Sequence, residues 1–307
     1  MPSLFQTHGI QGTLREGPHL LITAGVHGDE YEGMAAIREL ITHIDPTQLR
    51  GQLTWVPVVN ESAFALRART GKDGLDLARI CPGRADGSLT ERVAYELASL
   101  INNADYYIDL HTGGSIMQVD PLVGYNLVSN PNVLNTQRRM ARAFGLPIIW
   151  GTSAKLDGRS LSVARDAEVP AIYAEYLGGG LCSDTGVQAY YEGCLNVMAE
   201  LEMIEARPAP PLPKIDVEDI RPTSGHMQIC HPSPAAGYFN PSVSLGESVQ
   251  NGQSLGQVLD PLGKSTHAIA AEHSGRLIVL RTSPAVNKGD TLAVILETGP
   301  QSFNRLQ

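Results

Sequence analysis

Two histidines and one glutamate have the residue types of a catalytic zinc site. His27 and Glu30 stand three residues apart, just after the apolar run at 20–26, and His111 directly follows a second apolar run at 106–110. Zinc in catalytic sites takes three protein ligands, often two imidazoles and a carboxylate, and leaves a fourth position to water. His27, Glu30 and His111 therefore predict a metal centre that activates water, with one Zn²⁺ per chain.

The placement of these residues supports a metal site more than their spacing does. A His-x-x-Glu pair often only caps or solvates the first turn of a helix, and that alternative stays open for His27 and Glu30. Both residues nevertheless follow a strand of the buried type, and open α/β sheets bind ligands in the crevice outside the carboxyl ends of their strands. Since His111 also follows a strand, we expect two strand ends to meet at one crevice.

Two more carboxylates stand at or near predicted strand ends. Asp109 is expected to accept a hydrogen bond from a ligand imidazole and so to fix its tautomer; capping of the following turn is the alternative. Glu175 follows the apolar run at 171–174 and precedes three glycines at 178–180. A glutamate beside activated water takes its proton and returns it to a leaving amine, so Glu175 is a candidate general base and acid. A capping or salt-bridged glutamate is the alternative here.

Arginines are spaced through the turn-rich segment at 67–83. Guanidinium groups bind carboxylates through two hydrogen bonds and stabilise oxyanions, so Arg69 and Arg79 are candidates for both tasks. The alternative is an ordinary solvated loop with surface ion pairs that contribute little.

The first two thirds of the chain alternate short apolar runs with longer amphipathic ones. Such alternation predicts an α/β domain with a buried, mixed but mostly parallel sheet and helices on both faces. The predicted strands lie at 20–26, 53–59, 106–110, 147–150 and 171–174, and the predicted helices at 31–44, 89–101, 131–144, 161–167 and 185–204.

Composition changes after a proline-rich segment at 207–213. Prolines lack a backbone donor and favour extended conformations, so this segment predicts a linker between a domain at 1–206 and a small all-β domain at 215–307, with 207–214 between them. Two similar turn-Gly-strand segments, 243–256 and 284–293, resemble the halves of a biotinyl/lipoyl-like barrel. Lys264 would occupy the attachment position of that barrel, but an exposed turn lysine explains it better. The predicted strands of this region lie at 226–230, 257–259, 277–281 and 291–296.

Charge and composition exclude several classes of function. The net charge of -9 opposes binding to a nucleic-acid backbone, which depends on clustered Lys and Arg. Four widely spaced cysteines without a C-x-x-C pair disfavour disulfides and a sulfur-rich metal site and fit a reducing compartment. The first ten residues have no basic stretch followed by an apolar core, and no run of eighteen apolar residues occurs. We therefore expect a cytoplasmic protein that acts on a small molecule and has no membrane partner; assembly into a homo-oligomer stays open.

Several short motifs in a fixed order make the chain resemble the aspartoacylase/succinylglutamate desuccinylase family, a branch of the zinc carboxypeptidase superfamily. Five pieces in the same order are far more specific than any one of them, and the resemblance extends to the C-terminal β region. The pieces are AGVHGDE at 24–30, VVN at 58–60 with AF at 63–64, DGLDLAR at 73–79 with PG at 82–83, DLHT at 109–112, and Glu175 before the glycines.

The resemblance implies a zinc-carboxypeptidase-like fold and a role for each candidate residue. His27, Glu30 and His111 would hold zinc, Glu175 would be the general base and acid, Arg69 would polarise the scissile carbonyl, and Arg79 would hold a substrate carboxylate. One position departs from the family, because Ala78 stands where the family usually has an asparagine that helps to grip this carboxylate. Losing one hydrogen bond to a charged group costs about 1.5–3 kcal/mol, so the family name alone does not identify the substrate.

The prediction is therefore a zinc-dependent amidohydrolase that removes the acyl group from a small N-acylated amino acid or a related compound. A metallocarboxypeptidase acting on short peptides is the first alternative, since the chemistry is the same and only the substrate is longer. A metal- or ligand-binding protein without turnover is the second, and Ala78 is the only feature that favours it.

Overall fold

The computed structural model describes residues 3–14, 16–227 and 230–297, which form strands, six α-helices and two short 3-10 helices. The strands are β1 (His8–Gln11), β2 (His19–Ala24), β3 (Gln52–Val56), β4 (Tyr106–His111), β5 (Met117–Leu127), β6 (Ile148–Ser153), β7 (Ala171–Gly178), β8 (Ile215–Glu218), β9 (Gly237–Pro241), β10 (Ser248–Val249), β11 (Ser254–Leu259), β12 (Thr266–Ala270), β13 (Gly275–Arg281), β14 (Ala285–Val286) and β15 (Ala293–Leu296). The helices are α1 (Tyr31–His43), α2 (Glu61–Leu66), α3 (Leu89–Asn102), α4 (Pro131–Phe144), α5 (Ser160–Asp166) and α6 (Asp184–Glu200); the 3-10 helices are Pro46–Gln48 and Leu77–Arg79.

A large mixed sheet organises the molecule, with the order β1-β3-β2-β4-β7-β5-β13-β10. Its central strands β3, β2, β4 and β7 run parallel, so their carboxyl ends lie at one edge of the sheet. Strand β5 runs antiparallel to β7, and β6 and β8 extend the sheet from β5 by parallel pairing. The parallel centre is what brings the loops after β2, β4 and β7 together.

The central strands are mostly apolar and buried, as expected where both faces of a sheet are covered. Leu20 and Ile22 of β2 pack into a core with α1, α4 and α6, whereas Leu21 packs into a second core with α3 and α5. Helices α1, α3, α4 and α6 each bury several apolar residues, and α3 begins with a capping box formed by Ser88 and Glu91. The predicted α/β sheet with helices on both faces is confirmed.

Strand β5, at Met117–Leu127, is the largest element that the apolar pattern does not predict. Asp120 and Pro121 interrupt its hydrophobic residues, and proline has no N–H to donate to a sheet. The structure accommodates them in an irregularity, since the β5–β7 register shifts between Val119 and Leu122.

The C-terminal strands are divided between two sheets. Strands β12, β11, β9 and β14 form a separate antiparallel sheet of four strands, while β13 pairs with β5 and joins the large sheet. Together they enclose an apolar cluster that includes Phe239, Leu255 and Leu277. The barrel and the boundaries of the domains and linker stay predictions; residues 207–213 contain no helix or strand, as expected of a linker.

The strand predicted at 226–230 is wrong for the residues that can be judged. Residues 228 and 229 lie outside the described residues, and His226, Met227 and Cys230 are in no strand. A turn precedes them instead, in which Ser224 N donates to Arg221 O and Gly225 has a φ of +81°. The strands at 257–259, 277–281 and 291–296 are confirmed with small changes of boundary as β11, β13 and β15. Within the described ranges, no helix is long and apolar enough to cross a membrane.

Candidate active site

The two ligand-bearing loops follow neighbouring parallel strands, β2 and β4. After β2 the chain turns at Gly25, whose φ is +67°, and continues through His27 to Glu30, the N-cap of α1. Gly28 allows this loop to pack tightly, because a Cβ there would lie 2.0 Å from the carbonyl carbon of Ala63. His111 is the last residue of β4. The common edge of the sheet therefore brings together residues that are about eighty positions apart.

Glu30 lies between the two histidines and contacts both. His27 Nδ1 is 2.6 Å from Glu30 Oε1, and His111 Nδ1 is 2.9 Å from Glu30 Oε2. One nitrogen or oxygen atom from each of the three side chains lies within 4.8 Å of the others. Two imidazoles and one carboxylate that converge in this way are a donor set suited to a zinc-like dication, so these residues fit the predicted metal.

A carboxylate holds the far nitrogen of each histidine. Asp76 Oδ1 lies 3.2 Å from His27 Nε2, and Asp109 Oδ2 lies 3.0 Å from His111 Nε2. Asp109 is itself held, since it accepts hydrogen bonds from Thr23 and Ser160. Both rings are thus oriented with Nδ1 towards Glu30, which is how outer carboxylates position metal-ligating histidines.

The electrostatics of the cluster favour positive charge between Glu30 and His111. Burial alone would raise the pKa of Glu30, but His27 and His111 hold it well below its usual value. Burial would likewise lower the pKa of His111, but Asp109 and Glu30 raise it well above its usual value. A metal cation at this position would meet the same carboxylates in place of the proton.

Glu175 lies beside this cluster, because β7 pairs with β4 in a register that places Glu175 opposite His111. The side chain is buried, and its Oε2 has no hydrogen-bond partner among the described residues. Burial raises the pKa of Glu175 to about 8, with Glu30 adding to the rise and His111 opposing it. A carboxyl group with a pKa near neutrality and a free oxygen is suited to proton transfer.

Asp76 connects the metal-ligand cluster to Arg69. Its Oδ2 accepts a hydrogen bond of 3.0 Å from Arg69 Nε, and its Oδ1, which contacts His27, also accepts from Ala78 N. Arg69 Nη1 in turn lies 3.5 Å from His27 Nδ1. The Arg69 guanidinium is therefore held next to the ligands, where a carbonyl oxygen bound at the metal position would develop negative charge.

A cavity of about 440 Å³ contains the ligands, Glu175, and the two predicted arginines Arg69 and Arg79. Arg159, at the N-cap of α5, also lines it. Burial lowers the pKa of Arg79 to about 10, and Arg159 and Arg69 contribute to that lowering, as expected for cations grouped in one pocket. Gly225, Met227 and Val279 complete the wall, so residues beyond the proline-rich segment help to shape the cavity.

The structure brings every predicted site residue to this place: His27, Glu30, His111, Glu175, Arg69 and Arg79 line the cavity, and Asp109 lies behind His111. Sequence reasoning missed Asp76 and Arg159. Asp76 is part of the DGLDLAR motif, which singled out Arg79 and Ala78 only, and the turn at 157–159 before α5 was the available signal for Arg159. Asn60 of the VVN motif caps α2 by accepting from Ala63 N.

Comparison with known proteins identifies the class to which this fold and site belong. Residues 16–201 match the succinylglutamate desuccinylase/aspartoacylase catalytic domain, and the chain belongs to that family of amide-hydrolysing deacylases. It is 31% identical over 290 residues to the N-alpha-acetyl-L-2,4-diaminobutyric acid deacetylase of Halomonas elongata, covering 92% of this chain and 83% of that protein.

Solved structures agree with this assignment. The product-bound ectoine utilization protein of Ruegeria pomeroyi superposes with a TM-score of 0.86 at 25% identity, covering 94% of this chain and 87% of that one. A succinylglutamate desuccinylase from a Silicibacter species superposes with a TM-score of 0.84 at 27% identity, covering the same shares. The resemblance predicted from the motifs is thus confirmed.

Proposed function

We propose that this protein is a zinc-dependent deacylase that hydrolyses the amide bond of a small N-acylated amino acid. The observation that carries the proposal is the convergence of His27, Glu30 and His111 within 4.8 Å, with Glu175 opposite His111 on the next strand. Amide hydrolysis by activated water needs a metal ion and a general base. The three ligands would hold the metal, and the adjacent carboxylate would be the base.

The residues of the cavity divide the reaction between them. Zinc bound to His27, Glu30 and His111 would supply a Lewis acid that acidifies water and polarises the substrate carbonyl. Glu175 takes the proton of the attacking water and then delivers it to the nitrogen of the leaving amine. Arg69, held by Asp76, donates hydrogen bonds to the oxygen on which negative charge develops.

Two arginines of the cavity wall would bind the substrate's carboxylate. Arg79 is the predicted partner, and Arg159 offers a second guanidinium in the same cavity. Ala78 also lines the cavity and has no side-chain donor, so Arg159 compensates for the asparagine contact that the family usually makes at this position. The name of the Halomonas elongata relative supports an N-acetylated 2,4-diaminobutyrate as the first substrate to try.

Replacing Glu175 by Gln tests the mechanism. Glutamine has the same shape but cannot accept a proton, so we expect kcat to fall by roughly 10²- to 10⁴-fold. Zinc content, measured by mass spectrometry of the metal, should stay equal to that of the wild type because the three ligands are untouched. A variant that keeps full activity would refute the role of Glu175.

A substrate panel tests the reaction itself. We expect N-acetyl amino acids to be hydrolysed faster than unblocked dipeptides, because Gly225, Met227 and Val279 close part of the cavity wall. Faster cleavage of dipeptides would favour a metallocarboxypeptidase. Binding of N-acyl amino acids by the zinc-loaded protein without any hydrolysis would favour a binding protein.

A further inference from the structure

Asp29 is a buried carboxylate that the proposed reaction does not use. It stands between His27 and Glu30, lines the same cavity, and is only 5% exposed. Its Oδ1 has no hydrogen-bond partner among the described residues. Among the described residues that line the cavity, only Asp29 and Glu175 have a buried side-chain oxygen without a partner. Glu175 is assigned to proton transfer.

One oxygen of Asp29 is hydrogen-bonded, and the other is buried without a partner among the described residues. Oδ2 accepts a hydrogen bond of 2.8 Å from Ser115 N in the loop after β4. A Cβ at Gly114 would lie 2.8 Å from the same Oδ2, so this loop packs directly on the carboxylate. The backbone contact fixes the orientation of the group but supplies no positive charge.

A buried carboxylate with a free oxygen needs a cationic or hydrogen-bonding partner. Leaving such a group unpaired is unfavourable, and buried charges in proteins are therefore normally paired. Because Asp29 is a wall residue of the substrate cavity, a substrate group bound there is the nearest candidate partner for this buried oxygen.

Resting on the proposed deacylase function, we propose that Asp29 binds an ammonium group on the substrate's side chain. The cavity then has two charge-selective parts, with Arg79 and Arg159 for the carboxylate and Asp29 for the ammonium. The substrate class that matches both is an N-α-acylated diamino acid, which has one free carboxylate and one free side-chain amine. N-acylated acidic amino acids lack the cation and would place a second carboxylate in the cavity that contains Asp29.

The test compares two substrates of nearly equal shape. N-α-acetyl-L-2,4-diaminobutyrate and N-acetyl-L-norvaline differ by an ammonium in place of a methyl group. We expect wild-type kcat/KM to favour the diaminobutyrate compound by roughly 10- to 100-fold, as for a hydrogen bond between charged groups. Asp29→Asn keeps an oxygen for Ser115 N but loses the charge, so the ratio should fall towards one. Asp29→Glu keeps the charge and should retain part of the preference.

Controls separate this proposal from the function on which it rests. Asp86→Asn removes a carboxylate whose side chain is 90% exposed and should leave the ratio unchanged. If Asp29→Asn does not fold, Asp29→Ser provides a second neutral variant with an oxygen acceptor. Equal wild-type rates on the two compounds, or a preference that survives in the neutral variants, would overturn the role of Asp29 while leaving the deacylase intact. Absence of hydrolysis across all N-acyl amino acids would instead defeat the proposed function, and the role of Asp29 with it.

Discussion

The metal-ligand cluster and the arginines that line the same cavity are built in different ways. We call Arg69, Arg79 and Arg159 the arginine wall. His27 and Glu30 are 4% and 2% exposed, and they follow a central strand of the large sheet. Arg69 and Arg79 come from the loop segment between α2 and α3, and the side chain of Arg69 is 36% exposed. One region is fixed by parallel strands and outer carboxylates, and the other by turns.

This difference fits the two tasks that we propose for the cavity, which are the reaction at the ligand cluster and substrate selection at the arginines. Reacting groups must be held within a fraction of an ångström, so they are placed on rigid strand ends with a second layer of hydrogen bonds. Charge recognition tolerates more variation, because a loop can supply a guanidinium from a different position. Ala78 and Arg159 would be an example in the proposed carboxylate site, since Ala78 has no side-chain donor and Arg159 provides a cation in the same cavity.

The largest effect is expected from the ligand cluster. Glu30→Gln removes the negative charge that lies between His27 and His111, so metal content should drop and turnover should fall by more than about 10³-fold. Metal analysis together with the hydrolysis rate measures both. His267→Ala is the control, because that histidine is exposed on β12 and should change neither quantity. A Glu30→Gln protein that keeps its metal would contradict the ligand assignment.

A smaller effect, on both metal affinity and kcat, is expected from Asp76, which contacts His27 and Arg69. Asp76→Asn weakens the contacts to His27 Nε2 and Arg69 Nε, which are 3.2 and 3.0 Å long. We expect metal affinity to fall roughly 10- to 100-fold, as for other carboxylates behind ligating histidines, and kcat to fall even at saturating zinc. A chelator competition gives the affinity. Normal kcat at saturating zinc would show that Arg69 does not depend on Asp76.

Substitutions in the arginine wall should weaken substrate binding and leave metal binding unchanged. Arg159→Met removes a guanidinium from the cavity, so KM should rise by roughly tenfold or more while metal content stays at the wild-type level. Arg84→Met serves as the comparison, because the Arg84 side chain is 66% exposed on the surface. Equal KM values for the wild type and Arg159→Met would remove Arg159 from the carboxylate site.

The smallest effect is on stability and comes from Asp73, which precedes Asp76 in the same motif. Burial would raise the pKa of Asp73, but hydrogen bonds from Thr90 and Ser88 lower it from 3.8 to about 2. Because the folded pKa is lower than the unfolded one, the stabilisation is present above about pH 4 and is lost as the pH falls towards 2. Asp73→Asn should therefore lower the free energy of unfolding by about 1 kcal/mol at neutral pH, as expected for a helix N-terminal contact.

Thermal unfolding at several pH values measures this effect. The difference in Tm between the wild type and Asp73→Asn should shrink as the pH is lowered from 6 to about 3. A difference that is constant over this range would mean that the charge of Asp73 contributes nothing.

The sequence determined the elements whose pattern is local. Continuous apolar runs predicted the central strands, and periodic ones predicted α1, α3, α4, α5 and α6 close to their observed bounds. Strand β5 was not predictable in this way, since Pro121 and Asp120 break its pattern and only pairing with β7, β6 and β13 makes it a strand. The strand predicted at 226–230 was wrong for a similar reason, because its described residues His226, Met227 and Cys230 pair with no strand.

For the site, residue type and position after a strand were enough to select His27, Glu30, His111 and Glu175. Which atoms meet was decided by the tertiary structure, because contacts between residues far apart in the chain depend on strand order and register. The pairing of β4 with β7 sets Glu175 opposite His111, and the return of a loop to the sheet edge brings Asp76 to His27. The sequence therefore contains the chemistry of the ligands and pointed to Asp109 behind His111, whereas only the fold brings Asp76 to His27 and leaves one buried oxygen of Asp29 without a partner among the described residues.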